Sequence, residues 1–344
     1  MSSYAFWNNK GGVGKSFLCY VTATEYATQN PSTDVYVLDL CPQGNLSEVL
    51  LGGQGKSEKA LKKLFTQKPR CSIAGYIEER LNSPFKMSTD ISQFIIDVKQ
   101  YNNKIPSNLK LICGDNLLEI LSEAVRQTSQ LSMPQDAWKQ VVSWVRELRT
   151  KLSELSGVRD SVFFIDCNPS FAIYTQLAIV SSDYIIIPFT ADDSSRRGIE
   201  NIMALLYGEG DKTISSYAKL LFFKKAREFG VKIPKLHTFV SNRVTLYDGK
   251  PSKAFKAAEK SIKSLIETVF SEHRSYFSYP KNGVGEMFIN IPDYHGACIV
   301  STLTGTPISK IKPGPHVINE ERIQLNKGPL DNYKNSLEEL VKRI

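Results

Sequence analysis

This sequence predicts an α/β fold, a doubly wound and mostly parallel sheet with helices on both faces, and three observations lead there. The first is an apolar strand, Tyr4-Ala5-Phe6-Trp7-Asn8-Asn9, that passes through a glycine-dense turn, Lys10-Gly11-Gly12-Val13-Gly14-Lys15-Ser16, into a helical run from Phe17 to Ala27. The second is a set of further apolar runs, rich in β-branched and aromatic residues: Asp34 to Asp39, Asn108 to Gly114, Ser161 to Asp166, Asp183 to Pro188 and Lys235 to Arg243. Near-continuous apolar runs of this length are what strands buried on both faces of a parallel sheet look like. The third is that helical patterns separate them, as the crossovers of a parallel sheet require. The 344 residues are expected to form one enlarged domain, 1–344, with insertions near 52–108 and 263–290 and a C-terminal helix at 331–344.

The first strand, turn and helix form a candidate phosphate cradle. Glycines carry no Cβ, so the backbone can curl with its N–H groups inward, at the positive end of the helix that follows. Lys15 is then placed to reach β- and γ-phosphates, and the Ser16 hydroxyl to ligate Mg²⁺. The second strand ends in a carboxylate, Asp39, and ligands of open parallel sheets gather at the carboxyl ends of strands. Asp39 is therefore expected beside Ser16, and Asp166, at the end of another apolar strand, beside both.

Composition narrows the classes. An apolar content of 42% is ample for a core, and no run approaches the eighteen apolar residues of a membrane span. The N-terminus shows no basic segment followed by a long apolar stretch, so no secretory signal is expected. Six cysteines are scattered singly with no C-x-x-C, which argues against metal or redox work and for reduced thiols in a cytoplasm. The net charge of +8 is uneven: Lys219 to Asn282 holds fourteen Lys/Arg against five Asp/Glu. A polyanionic partner is expected.

The glycine turn breaks the ordinary pattern G-x-x-x-x-G-K-[ST], because Asn9 stands at its first glycine and a second lysine, Lys10, follows. Lys10-Gly-Gly-Val-Gly-Lys15-Ser16 resembles the deviant Walker A of the ParA/MinD class of P-loop ATPases. The resemblance implies ATP and Mg²⁺ as ligands, held by Lys10, Gly11, Gly12, Val13, Gly14, Lys15, Ser16 and Phe17. It also implies a homodimer formed with ATP, in which each Lys10 crosses to the phosphates of the partner subunit. Lys10, Lys15, Asp39 and Asp166 would be the catalytic set, and Ser16, Asp39 and Asp166 the metal set, Asp166 in the Walker B position.

Leu40-Cys41-Pro42-Gln43-Gly44-Asn45 resembles the D-x-D-P-Q-G-N segment of ParA-type partition ATPases, with Cys41 where the second aspartate belongs. In that family the aspartate helps position the hydrolytic water. A thiol is a poor acceptor and mostly uncharged near neutrality, so slow hydrolysis is expected. Cys167-Asn168-Pro169-Ser170 likewise departs from the family's D-T-P-P.

Between these motifs, Gly52 to Lys56 reads as a flexible, exposed link, Lys59 to Phe65 and Ile73 to Leu81 as short helices, and Leu117 to Thr128 as another. Pro134 to Leu155 reads as one long helix with a buried face of Ala137, Val141, Trp144, Val145, Leu148, Leu152 and Leu155. A helix from Ala191 to Leu206 is expected to be capped by Ser194 or Ser195.

Asn242, at the end of the Lys235 strand, matches the family position that recognises adenine, and Tyr247-Asp248-Gly249-Lys250 resembles its Y-D-G-R/K turn. Ile291-Pro292-Asp293 resembles the family's I-P-R segment, so Pro292 and Asp293 are expected to flank the base. Lys253, Lys256, Lys260 and Lys263 recur every three or four residues and form one basic stripe opposite Phe255, Ile262 and Ile266. Such stripes hold phosphates without reading sequence. Arg243, Lys250, Lys253, Lys256 and Lys260 are the expected DNA contacts.

Lys310 to Pro329 carries three prolines and reads as irregular. The terminal helix has an apolar face of Tyr333, Leu337, Leu340, Val341 and Ile344 with Glu338 and Glu339 beside it. It is expected to dock on the domain and not on a membrane. The reading that follows is a ParA-like ATPase that binds DNA nonspecifically to segregate plasmid or chromosomal DNA. It would work with a ParB-like adaptor, in the cytoplasm on the nucleoid. A MinD-like membrane-positioning ATPase and an ATP-dependent ligase-type enzyme are the alternatives.

Overall fold

The computed structural model describes residues 1–86, 90–209, 222–244, 246–247, 250–251, 253–279 and 283–344. Strand β1, Ser2–Phe6, leads into helix α1, Lys15–Gln29, and then into β2, Asp34–Leu40, all of whose residues are buried. Helices α2, Asn45–Leu50, α3, Lys56–Phe65, and α4, Ile73–Asn82, come next. Ser72 caps α4, its hydroxyl accepting from Gly75 N at 3.1 Å. Strands β3, Ile96–Asp97, and β4, Leu109–Ile112, precede helices α5, Leu117–Thr128, α6, Ala137–Val142, and α7, Trp144–Leu155.

The second half continues with β5, Ser161–Cys167, α8, Ile173–Val180, β6, Tyr184–Phe189, α9, Asp193–Tyr207, and α10, Phe222–Glu228. Strand β7, Lys235–Val244, is followed by a small pair, β8, Leu246–Tyr247, and β9, Lys250–Pro251, and by α11, Lys253–Glu272. The chain closes with β10, Phe288–Pro292, α12, His295–Thr304, a hairpin of β11, Gly314–Ile318, and β12, Glu321–Leu325, and α13, Lys327–Val341.

Eight strands form one sheet in the order β10-β7-β6-β1-β5-β2-β4-β3. All neighbours are parallel except the edge pair β3 and β4. Alternate residues of each strand enter opposite cores, Tyr36, Leu38, Phe163 and Ile165 on one face, Val35, Val37, Val162 and Phe164 on the other. Each face is then covered by helices, as the uninterrupted apolar runs require. In register, Asp39 lies opposite Asp166 and Phe6 opposite Asp166, so the carboxyl ends of β1, β2 and β5 converge.

Four details differ from the sequence-based expectation. The predicted helix from Pro134 to Leu155 is two helices that meet at Ser143, whose N–H is shared between the Lys139 and Gln140 carbonyls at 3.2 Å each. That tightened turn lets Trp138 and Trp144 both face the core, while Leu155, expected on the buried face, ends the second helix 59% exposed. Gly52 and Gly53 are buried instead of exposed, because the backbone there runs against Leu303 and a Cβ on Gly53 would collide with the Leu303 carbonyl. The supposedly irregular stretch after Lys310 contains the β11–β12 hairpin, turned by Asn319 and Glu320 at φ of 49° and 68°. Asp192, not Ser194 or Ser195, caps α9, its carboxylate accepting from Ser195 N at 2.8 Å.

Helix α13 buries Leu330, Tyr333, Leu337, Leu340 and Val341 and packs on α1. Tyr4 donates its hydroxyl to the Ile344 carbonyl at 2.7 Å, pinning the end of that helix to β1. Among the described residues no helix is long and apolar enough to cross a membrane.

Candidate active site

The glycine turn has the backbone its sequence demands. Gly12 and Gly14 sit at φ of 75° and 90°, a left-handed conformation that costs a side-chain-bearing residue. A Cβ on Gly14 would also strike the Asn242 amide, which donates to Val13 O at 3.0 Å and so fixes the turn from below. Around Gly11 and Gly12 a Cβ would meet nothing within 4 Å, so the concave side of the turn is open to a ligand.

Lys15 is 7% exposed and donates its ammonium to Lys10 O at 2.9 Å. Burial lowers its pKa, and the Asp166 charge offsets part of that. Asp39 is fully occupied: Oδ1 accepts from Cys41 N at 3.1 Å, and Oδ2 accepts from Ser47 N at 3.0 Å and Ser47 Oγ at 2.7 Å. Gly114 makes room for it, since a Cβ there would come 2.6 Å from Asp39 Cγ. Gly114 N donates to Ser47 Oγ at 2.8 Å, so the loop from 41 to 47 is tied through Asp39 to the end of β4.

Asp166 is the opposite case. It is fully buried, and among the described residues neither oxygen has a hydrogen-bond partner of good geometry. Burial first, and then the Asp39 charge, hold its carboxyl well above the usual range, while Ser16 and Lys15 pull it back. An unpartnered buried carboxylate beside a second one is costly unless it is protonated or meets a cation. That orphaned oxygen pair, with the Ser16 hydroxyl near it, fits a divalent cation such as Mg²⁺; the open glycine cradle fits phosphates.

Cys41 is 7% exposed at the same place, and burial, then Asp39 and Asp166, push its thiol up to about 12. It stays a neutral S–H at pH 7, with Asn168 Nδ2 at 4.0 Å from its sulfur. Asn168 itself is committed to its own turn, accepting from Ser170 N at 2.9 Å.

Lys10 lies on the rim. Its ammonium donates to Asp192 Oδ2 at 2.6 Å, Thr190 Oγ1 at 3.0 Å and Ser195 Oγ at 3.4 Å, all on its own chain. Burial alone would raise the Asp192 carboxyl, but hydrogen bonds from Lys10, Thr190, Ser194 and Ser195 N hold it well below the carboxylate range.

A cavity of about 190 Å³ opens beside Gly14 and Phe17, lined by Asn242, Arg243, Pro292, Asp293, Tyr294 and Tyr333 among others. The structure thus brings the expected base-flanking residues to the phosphate turn. Asn242 spends its amide nitrogen on Val13 O. Arg243, expected with the DNA contacts, lines this cavity as well, at φ of 58°.

Of the other expected DNA contacts, Lys256 and Lys260 are exposed on α11, with Ile262 and Ile266 buried on its other side. Lys250 lies in β9 and Lys253 begins α11. The Asp248-Gly249 turn lies outside the described residues. Lys263 leaves the stripe: its ammonium sits 5.1 Å from the Phe288 ring centre and 3.2 Å from Glu259.

Sequence reasoning missed Asp192 and Thr190 as holders of Lys10, Ser47 and Gly114 as supports of Asp39, and Tyr294, Cys298 and Tyr333 in the cavity beside Gly14. The polar run Thr190 to Ser195 after the Pro188 strand was the only signal that pointed to any of them.

The profile of the AAA domain family matches residues 1–210. The uncharacterized protein MJECL24 of Methanocaldococcus jannaschii is 25% identical over 222 residues, covering 63% of this chain and 69% of that protein. Among solved structures, an ATP complex of a substituted McdA of Cyanothece superposes with a TM-score of 0.60 at 14% identity, covering 100% of this chain and 96% of the other. A putative plasmid partition protein of Borrelia burgdorferi B31, bound to AMPPNP, gives 0.54 at 19% identity, covering 100% and 99%. These likenesses show the common fold.

Proposed function

This chain belongs to the AAA domain family, in its ParA/MinD branch of ATP-binding P-loop proteins, and from that premise we propose a DNA-partition ATPase that alternates between a monomer and an ATP-bound dimer. The observation that carries the reading is the second lysine: Lys10 stands on the rim of the open glycine turn while Lys15 lies inside it, with the orphaned Asp166 behind. When bound, ATP with Mg²⁺ supplies the phosphoanhydride and the charge that neutralises it.

Everything else is the work of this chain's residues. The backbone N–H groups of Gly11 to Ser16, extended by Phe17, hold the phosphates. Lys15 would turn from Lys10 O to the β- and γ-oxygens, and Ser16 and Asp166 would hold the cation. Asp39 positions the 41–47 loop from behind. Cys41, a neutral thiol, takes no proton from water, so hydrolysis is slow until a ParB-like adaptor intervenes.

Asn242, Pro292 and Asp293 seat the adenine. Lys10 leaves Asp192 for the partner's phosphates, and the two α11 stripes, with Arg243, Lys250, Lys253, Lys256 and Lys260, join into one sequence-independent DNA surface. The whole chain would act as a single such domain, in the cytoplasm on the nucleoid. Covered as it is, the apolar face of α13 disfavours a membrane-positioning role.

Sedimentation velocity with ATP, ADP or no nucleotide, repeated for Lys10→Ala, tests the proposal. A dimer only with ATP, lost in the variant, and salt-sensitive retention on duplex DNA only with ATP are the expected results. A monomer under all conditions would refute it.

A further inference from the structure

A second cavity, about 340 Å³ and open to solvent, lies away from the nucleotide site between α5, α6, α8 and α10. Trp138, Phe171, Ile173 and Phe222 wall it, and Arg126 and Lys225 stand at its edge. The aromatic rings brace one another: Phe222 meets Phe171 edge-on at 5.2 Å and Trp138 at 5.8 Å. Arg126 is paired with Glu123 at 2.7 Å. Lys225 lies 5.9 Å from the Trp138 ring centre and makes no ion pair among the described residues. Directly after Gln130 on the rim, Leu131 and Met133 are 49% and 83% exposed.

We propose that this cavity receives the aromatic side chain of an acidic segment of a partner protein. The aromatic walls supply the apolar pocket, and Lys225 supplies a positive charge that no acid among the described residues answers. Leu131 and Met133 follow the rim residue Gln130 in the chain and are exposed, so the chain offers apolar surface next to Gln130 as well as within the cavity, which a peptide segment can use and a small molecule cannot. The proposal rests on the partner-assisted reading above and gives the partner its chemistry.

The cavity also bears on the nucleotide site. Phe171 packs against Trp7 at 5.3 Å, and Trp7 stands three residues before Lys10. Phe171 itself follows the Cys167-Asn168-Pro169-Ser170 turn that leaves Asp166. A side chain seated against Phe171 therefore presses on both strand ends that frame the phosphate turn. By linkage, nucleotide must then alter peptide affinity as much as peptide alters nucleotide affinity.

The test uses the full chain and a labelled peptide, Asp-Glu-Phe-Leu-Glu-Asp, followed by fluorescence anisotropy. Controls replace its Phe by Ser, or its acids by Lys. Two variants address the site without removing its walls: Lys225→Glu reverses the charge, and Gln176→Trp fills the space from α8. Melting curves and MgATP binding check that both fold.

Saturable binding is expected, weakened about tenfold or more by either variant and by either control peptide, a change of about 1.4 kcal/mol. Equal binding of all three peptides, binding indifferent to both variants, or no binding overturns the proposal. Variant-sensitive binding of phenylacetate without peptide binding also overturns it, in favour of a small-molecule site. MgATP binding by the unsubstituted chain is measured on the same samples, so failure of the nucleotide reading is seen separately from failure of the peptide site.

Discussion

Replacing Asp192 by Asn should make the ATP-dependent dimer tighter. In the monomer Lys10 is held by Asp192 at 2.6 Å, with Thr190 and Ser195 sharing the ammonium. Any crossing to a partner's phosphate must break that contact in both subunits. The two side chains are 27% and 43% exposed, so the pair belongs with partly screened ion pairs, worth about 0.5–1 kcal/mol. Two such contacts released give about 1–2 kcal/mol, or about 5- to 30-fold in the dimer dissociation constant.

Asparagine is chosen because it caps a helix as well as aspartate does, so α9 keeps its first turn. Sedimentation equilibrium with a non-hydrolysable ATP analogue and Mg²⁺, over a range of protein concentrations, measures the constant. An unchanged or weaker dimer would refute the reasoning, and would mean that Asp192 contributes to the dimer itself.

Further outcomes follow from the same geometry. Cys41→Asp should raise ATP turnover, because a carboxylate can accept where a thiol held near 12 cannot, yet lower the melting temperature of the nucleotide-free protein by adding a third acid beside Asp39 and Asp166; equal or lower turnover would count against the role given to this position. Asp39 and Asp166 both have raised folded pKa values, so the folded protein binds more protons than the unfolded one: the stability gained by protonation is fully present below about pH 4 and is lost as pH rises through the folded values. Asp166→Asn should therefore melt about 2 °C or more above the unsubstituted protein at pH 8, converge with it toward pH 5, and lose the stabilisation by MgATP, all readable by calorimetry. Finally, neutralising Lys256 and Lys260 together should reduce the slope of log K against log salt for duplex DNA by about 2, and an unchanged slope would remove α11 from the DNA surface.

Much of the fold was legible because burial on both faces of a parallel sheet leaves a strong trace. A run such as Ser161 to Asp166 has no polar face to offer and can only be a central strand. The helix break at Ser143 was not legible, since the apolar spacing continues across it and only the requirement that Trp138 and Trp144 enter one core bends the chain. The hairpin after Lys310 was hidden by prolines that stand before and within its first strand. The buried Gly52 and Gly53 looked like a flexible link because glycine marks close backbone approach and open loop alike.

The sequence alone determined the central strands and most of the helices between them, the glycine turn with its two lysines, and the acids at two strand ends. Those are local matters, settled by dihedral freedom and by which residues can be buried. Only the tertiary structure decided that Asp39 is saturated with hydrogen bonds while Asp166 has none of good geometry among the described residues, that Lys10 is tethered to Asp192 some 180 residues away, and that Asn242 braces the glycine turn. Contacts between distant segments depend on how the strands are ordered across the sheet, and pattern along the chain carries no record of that order.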